Sequence, residues 1–128
     1  MGASPTSASR AQNARILVVE DDGPLRAALV FDLEAEGYAV SAFAAAEQVL
    51  KGTVEAECLV VDRTLPGQDG LALIAQLRER GIDAPAILIT TDPDDRSRAQ
   101  AAAIQVEIVE KPLIGRRLQN RIAALVGR

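Results

Sequence analysis

Four short apolar runs of this sequence each end in residues that could do chemistry, namely Glu20-Asp21-Asp22, Asp62, Thr90 and Lys111. Apolar runs of this length, separated by helical patterns, are typical of parallel strands buried on both faces. Ligands bind at the carboxyl ends of the strands in open α/β sheets. The acids, the hydroxyl and the ammonium should therefore converge at one edge of one sheet.

Acids at this edge indicate a divalent cation and a phosphoryl group. Asp21 and Asp62 end neighbouring strands if the first strand is central, and Mg²⁺ would relieve the repulsion between their carboxylates. Bound Mg²⁺ would keep Asp62 ionised, so that it could attack phosphorus and become an aspartyl phosphate. Lys111 would pair with the acids at rest and with the phosphoryl oxygens afterwards. The Thr90 hydroxyl could donate a hydrogen bond to another phosphoryl oxygen.

Each of these residues also has a simpler interpretation when it is taken alone. An acid after a strand most often caps a helix, and Asp22 could be only that. A Lys-Pro pair is usually a turn, and Pro-Gly or Asp-Gly pairs are common in loops. Four matched strand ends in order are much harder to obtain by chance, and this combination favours a site.

Composition excludes several other kinds of chemistry. The chain has 128 residues, the length of one domain, with a net charge of −4 and no histidine. It therefore has no Ser-His-Asp unit, histidine ligand or phosphohistidine. Cys58 is the single cysteine, which excludes an internal disulfide and a cysteine metal cluster. Acidity and scarce aromatics argue against direct nucleic-acid binding. No membrane span or signal peptide is predicted, so a cytoplasmic location is the default expectation.

Alternating patterns predict a (βα)₅ fold, with a parallel sheet covered by helices on both faces. Residues 1–14 are predicted to be a disordered tail. Strands are predicted at about Arg15–Glu20, Tyr38–Phe43, Glu57–Asp62, Pro85–Thr90 and Val106–Val109. Between and after them, helices are predicted from Asp22-Gly23-Pro24 to Gly37, over about Ala44–Lys51, through Leu73 to Gly81, from Asp92-Pro93 to about Ala103, and along Ile114, Leu118, Ile122 and Leu125. Arg63–Gly70 is predicted to be a loop.

From about Arg15 to Val126 the chain resembles a response-regulator receiver domain of bacterial two-component signalling. The matching motifs are Ile16-Leu17-Val18-Val19-Glu20-Asp21-Asp22, Leu59-Val60-Val61-Asp62, Leu65-Pro66-Gly67-Gln68-Asp69-Gly70, Ile89-Thr90 and Glu110-Lys111-Pro112. The resemblance implies a flavodoxin-like, doubly wound sheet of five parallel strands in the order 2-1-3-4-5. It implies a receiver domain over residues 15–128. Within this sequence no output domain follows, so we expect a single-domain regulator or a receiver cut from a longer chain.

The resemblance also implies a role for each matched residue. Asp62 would be the phosphoacceptor, and Mg²⁺ would be held by Asp21, Asp62 and the main-chain carbonyl of Thr64. Glu20 would reach the ion through water. Thr90 and Lys111 would stabilise the phosphoryl group, and the peptide between Lys111 and Pro112 would be cis.

The partners implied by the resemblance are proteins. A histidine kinase or a histidine phosphotransfer protein would donate the phosphoryl group, which fits the absence of histidine here. A downstream protein would bind the face formed by the fourth helix, fifth strand and fifth helix, and homodimerisation is left open. The domain would not be an enzyme acting on a separate substrate, although it would catalyse its own phosphorylation and slow autodephosphorylation.

Two positions depart from the family pattern. Thr91 follows the hydroxyl residue, where Ala or Gly is usual, and we expect it to narrow access to Asp62. Ile108 stands three residues before the lysine, where Tyr or Phe is usual, so the aromatic ring that normally swings inward on activation is missing. The second departure keeps open an interaction module with an atypical or phosphorylation-independent readout.

Two other classes of protein fit less well. A haloacid-dehalogenase-like phosphatase needs a second Asp two residues after the nucleophile, where this chain has Thr64. A receiver-like module that has lost phosphorylation would be expected to lack Asp62, the acid pair or Lys111, and all of them are present.

Overall fold

The computed structural model describes residues 13–127, and most of the predicted tail, residues 1–12, lies outside them. Ala14, which was assigned to the tail, is buried, and its carbonyl accepts a hydrogen bond from the Ala39 amide at 3.0 Å. The folded part therefore includes Ala14, one residue earlier than predicted.

Residues 13–127 form seven strands and five helices. The strands are β1 Arg15–Val19, β2 Ala39–Phe43, β3 Cys58–Asp62, β4 Thr64–Leu65, β5 Gln68–Asp69, β6 Ala86–Thr90 and β7 Val106–Glu110. The helices are α1 Gly23–Ala35, α2 Ala46–Leu50, α3 Gly70–Glu79, α4 Asp95–Ala103 and α5 Arg117–Leu125. Each predicted strand and helix is present, and most bounds differ from the predicted ones by one or two residues.

The main sheet is parallel, and its order confirms the predicted one. Its five strands lie in the order β2-β1-β3-β6-β7, which is 2-1-3-4-5 when the small hairpin β4-β5 is set aside. In the register, Val19 pairs with Val61, Asp62 with Ile89, and Thr90 with Glu110. The neighbouring strands therefore end almost level, and the polar residues after them emerge at one edge.

Two apolar layers hold the sheet between the helices. Alternate residues of the central strands, such as Val61 and Leu88, pack with α2, α3 and α4, whereas Val60 and Ile87 pack with α1 and α5. Every residue of β3 and β6 is buried. Strands buried on both faces favour apolar residues throughout, which explains the apolar runs of β3 and β6 up to their last residues, Asp62 and Thr90.

Capping residues mark where α1 and α4 begin, and one predicted cap was wrong. Asp22 caps α1 by accepting a hydrogen bond from the Leu25 amide at 3.1 Å, and Gly37 leaves the helix with φ of 95°. Asp94, rather than Asp92, caps α4. Pro93 therefore precedes the cap, and the prediction of a first-turn proline was wrong.

Two further predictions were wrong. The spacing of Ile114 predicts that it belongs to the last helix, but α5 begins at Arg117 and Ile114 is 76% exposed. The segment Arg63–Gly70 was predicted to be a loop only, but it contains the antiparallel hairpin β4-β5, which turns at Gly67 with φ of 71°. Two-residue strands are too short to show alternation in a sequence.

Within residues 13–127, no helix combines the length and the apolar character that a membrane span requires.

Candidate functional site

Three carboxylates meet where β1 and β3 end. Glu20 and Asp62 are buried, with 0% and 4% of their surfaces exposed, whereas Asp21 is exposed. One oxygen from each of the three lies within 4.8 Å of the others. Carboxylate oxygens at this separation suit a hard divalent cation that keeps part of its water shell. The structure thus brings together the acids that the sequence predicted.

Lys111 supplies the positive charge of this cluster. Its Nζ lies 2.8 Å from Oδ2 of Asp62 and 3.3 Å from Oε1 of Glu20. The backbone holds the residue in place, because the Lys111 amide donates to the Thr90 carbonyl at 2.8 Å. The peptide between Lys111 and Pro112 is cis, as predicted. One lysine therefore bridges the two buried carboxylates.

The Asp62 carboxylate is oriented through both of its oxygens. Oδ1 accepts a hydrogen bond from the Thr64 amide at 3.1 Å, while Oδ2 faces Lys111. Behind Asp62, Gly70 begins α3 and packs against the main chain of the strand end. A side chain at Gly70 would overlap the Asp62 carbonyl, so α3 can approach this closely only because residue 70 is glycine.

The electrostatics of the cluster favour an added cation. Burial raises the pKa of Glu20 to about 7, and the hydrogen bond and charge of Asp62 add to this rise, against the lowering effects of the Asp22 amide and Lys111. Burial opposes the charge of Lys111, but Asp62 and Glu20 outweigh it, and the pKa of Lys111 is raised. One ammonium therefore leaves the carboxylates under-neutralised, and the donor set fits a divalent cation.

Two threonines at the carboxyl end of β6, Thr90 as its last residue and Thr91 directly after it, also lie at the site. Thr90 is buried, and Thr91 is exposed at the rim. They belong to a cleft of about 360 Å³, whose lining residues are Glu20, Asp21, Asp22, Asp62, Thr64, Thr90, Thr91 and Lys111. Each predicted site residue therefore lies at the same cleft.

Comparison with known protein families agrees with this geometry. Residues 16–123 match the family of the response regulator receiver domain, and the match covers most of the chain. This chain belongs to the response-regulator receiver family. It is a receiver domain of two-component signalling, and the interaction-module alternative is not favoured.

Individual relatives show the same relationship. The receiver domain is 33% identical over 117 residues to the two-component response regulator PhoP of Pseudomonas aeruginosa, covering 89% of this chain and 52% of PhoP. Among solved structures, TrrA of Thermotoga maritima in complex with Mg²⁺-BeF is 28% identical, with a TM-score of 0.75. The match covers 88% of this chain and 98% of TrrA. The beryllofluoride-activated NtrC4 receiver domain dimer is 26% identical, with a TM-score of 0.80. The match covers 88% of this chain and 96% of the NtrC4 chain. The chain spans about half the length of the curated relatives it matches.

Three residues that support the site of the receiver domain were missed in the sequence. Arg26 of α1 donates from Nη1 to the Glu20 carbonyl at 2.8 Å and so braces the acidic end of β1. The sequence predicts only a loop at Gly70 and Arg63, yet Gly70 lets α3 approach Asp62, and the Arg63 carbonyl accepts a hydrogen bond from the Gly70 amide at 2.7 Å. The motif that ends at Gly70 indicates the family but not the close packing of α3 on the end of β3, and no pattern in the sequence marks Arg26 or Arg63, because these roles depend on contacts between separate segments.

The departure at Ile108 is visible in the packing. Ile108 is half-buried, pairs in register with Leu88, and packs into the core layer beneath α2, α3 and α4. Arg96 and Arg98 of the adjacent α4 are exposed, and Nη2 of Arg98 lies 3.1 Å from Oε1 of Glu110 in β7. Charged groups of α4 and β7 therefore lie near an aliphatic residue, Ile108, at the position where the family usually has an aromatic one.

Proposed function

We propose that this receiver domain accepts a phosphoryl group on Asp62 in an Mg²⁺-dependent reaction and thereby switches its protein interactions. The observation that carries the proposal is the position of Asp62. Asp62 is a buried residue that lines the cleft, and Nζ of Lys111 lies 2.8 Å from its Oδ2. The carboxylates of Glu20 and Asp21 are close enough to share a cation with it.

The residues divide the work of phosphoryl transfer. An Asp62 oxygen forms a bond to phosphorus, while the P–N bond of the donor's phosphohistidine breaks and its electron pair stays on the imidazole. The Thr64 amide holds the Asp62 carboxylate in place during the attack. The Lys111 ammonium pairs with the phosphoryl oxygens, and the Thr90 hydroxyl donates to another.

The metal would be held by Asp21 and Asp62, together with the main-chain carbonyl of Thr64, and Glu20 would act through water. When bound, Mg²⁺ supplies positive charge against the phosphoryl oxygens. Support for this assignment comes from the three clustered carboxylates, which one lysine does not neutralise. TrrA, a relative of this receiver domain, was solved with Mg²⁺-BeF.

The proposed donor is a histidine kinase or a histidine phosphotransfer protein, because the chain belongs to the receiver family, and the absence of histidine from the chain fits a donor that supplies the phosphohistidine. The proposed downstream partner is a protein that binds the face of α4, β7 and α5. Homodimerisation is a further proposal, which the dimeric NtrC4 receiver supports. We also propose a cytoplasmic location and slow autodephosphorylation.

Phosphorylation by acetyl phosphate tests the proposal directly. The wild-type chain should gain one phosphoryl group in Mg²⁺, measured by intact-protein mass spectrometry, and Asp62→Asn should gain none. Asp83→Asn is the matched control, because Asp83 is an acid outside the cleft. Stoichiometric labelling of Asp62→Asn would disprove the assignment of the phosphoacceptor.

The metal ligands need a separate titration. Phosphorylation of the wild-type chain should depend on the Mg²⁺ concentration, and Asp21→Ala should lose most of this dependence. An Mg²⁺ titration that is unchanged in Asp21→Ala would rule out Asp21 as a ligand.

A further inference from the structure

Helix α4 is attached to the sheet with little apolar surface. Within Asp95–Ala103, the buried residues are Ser97 and Ala101. Helix α3, in contrast, buries three leucines and an isoleucine. Since stabilisation by burial grows with the apolar area removed from water, the position of α4 depends more strongly on polar contacts than that of α3.

The polar contact at the start of α4 is a directed chain of hydrogen bonds. Nη1 of Arg63 donates to Oγ of Ser97, and this Oγ donates to Oδ1 of Asp94 at 2.6 Å. Oδ1 of Asp94 also accepts from the Ser97 amide at 2.8 Å, which caps the helix. A serine hydroxyl carries one proton and accepts with its lone pairs, so Ser97 uses both capacities.

The charges along this chain are complementary. The hydrogen bonds from Ser97 lower the pKa of Asp94, and the positive charge of Arg63 adds to this effect. The cap is therefore an ionised carboxylate near the amino end of a helix, where the helix dipole favours negative charge.

Arg63 connects this chain to the phosphoacceptor because it directly follows Asp62. Its amide donates to the Ile89 carbonyl at 2.9 Å, and its own carbonyl accepts from the Gly70 amide at 2.7 Å. Its Nε also lies 3.6 Å from Oδ2 of Asp69, the residue that caps α3. The main chain of Arg63 is thus held at the end of β3, while its guanidinium reaches the amino ends of two helices.

We propose that Arg63 is a positioning residue that couples Asp62 to helix α4 through the hydrogen bond it donates to Ser97. The inference rests on the proposed phosphorylation of Asp62. A phosphoryl group there adds negative charge on the residue next to Arg63. Attraction of Arg63 toward this charge weakens its bond to Ser97 and releases the first turn of α4, which has little apolar burial to hold it.

The experiment follows backbone amide NMR shifts of the full chain in Mg²⁺, before and after addition of beryllofluoride, a phosphoryl analogue that adds to the aspartate. In the wild type, the amides of Thr64 and Thr91 report occupation of the cleft. The amides of residues 95–100 report the response of α4. Both groups of amides should shift in the wild type.

The variants Arg63→Met and Ser97→Ala each remove the link from one side. Both should keep the beryllofluoride shifts of the cleft and lose more than half of the shift at residues 95–100. The double variant should lose no more than either single variant, because both act through one hydrogen bond. Arg80→Met is the matched control, since Arg80 donates to the Leu50 carbonyl, away from α4, and should behave like the wild type.

The outcomes separate the coupling from the proposed function. Wild-type-sized α4 shifts in both single variants, or no α4 shift in the wild type, would overturn the role of Arg63. If the cleft amides of the wild type do not respond, the phosphorylation proposal fails and the coupling fails with it. If Arg63→Met does not fold, Ser97→Ala decides the question, because alanine is well tolerated within a helix.

Discussion

Gly70 provides a sharp test of how the site is packed. A Cβ added at Gly70 would lie 2.9 Å from the Asp62 carbonyl carbon and 2.9 Å from Cγ1 of Val61, and closer still to the Asp62 carbonyl oxygen. Both separations are well below van der Waals contact. Gly70→Ala therefore requires α3 or the end of β3 to move.

The expected cost follows from what must move. Overpacking a core typically costs about 1–3 kcal/mol, and the upper part of that range applies here because the obstacle is backbone and not the tip of a flexible side chain. We expect Gly70→Ala to lose about 3 kcal/mol of unfolding free energy. For a domain of this size, that corresponds to a melting temperature lower by roughly 10 °C.

Urea denaturation, with Gly52→Ala as the matched control, measures this cost. A Cβ added at Gly52 would meet no heavy atom within 4 Å, and the φ of Gly52 is not positive. Alanine at position 52 should be neutral or stabilise by up to about 1 kcal/mol, because it restricts the unfolded chain. Gly70→Ala should also be phosphorylated more slowly at temperatures where it is folded, since the Asp62 main chain is displaced. Stability within about 0.5 kcal/mol of the wild type would refute this account of α3 packing.

Three further predictions concern the cleft and the core. Thr91→Ala should raise the rates of both acetyl-phosphate labelling and autodephosphorylation, because it removes a branched side chain from the rim of the cleft. If both rates change by less than about twofold, or about 0.4 kcal/mol in barrier, Thr91 does not limit access to Asp62. Lys111→Met should lose about 1–3 kcal/mol in urea denaturation, because it leaves two buried carboxylates without their ammonium, and Mg²⁺ should restore part of the loss. An equal loss with and without Mg²⁺ would argue against a cation at these acids. Burial and the charge of Glu107 raise the pKa of Cys58 to about 12, so thiol reagents at about pH 8 should modify Cys58 only as fast as the protein unfolds. Rapid modification in native buffer would show that this thiol is accessible.

The strand ends were predictable because two local signals coincide there. Fully buried parallel strands give unbroken apolar runs, and a polar residue that ends such a run must lie at the carboxyl edge. The level ends of β1, β3, β6 and β7 then bring Glu20, Asp62, Thr90 and Lys111 to one cleft. The order of the strands came from the resemblance to receiver domains, since periodicity alone does not state which strands are neighbours.

The errors occurred where local patterns were ambiguous. Ile114 has the spacing of a helical residue, yet α5 starts three residues later, at Arg117, and Ile114 is 76% exposed. Pro93 suits a first helical turn, but Asp94 is the N-cap residue, because its side chain accepts a hydrogen bond from the Ser97 amide. Two competing capping acids in one short segment cannot be ranked without the contacts that each of them makes.

The sequence by itself determined the class of fold and the residue types of the site, because both follow from hydrophobic periodicity and from which polar residues end each buried run. Tertiary structure alone decided the details that depend on distance between separate segments. It placed Lys111 between Glu20 and Asp62, raised the pKa of Glu20 through burial, and joined Arg63 to Ser97. The physical reason is that hydrogen bonding, desolvation and charge pairing act over a few ångströms in space, and residues 34 or 49 positions apart in the chain carry no local pattern that reveals such a contact.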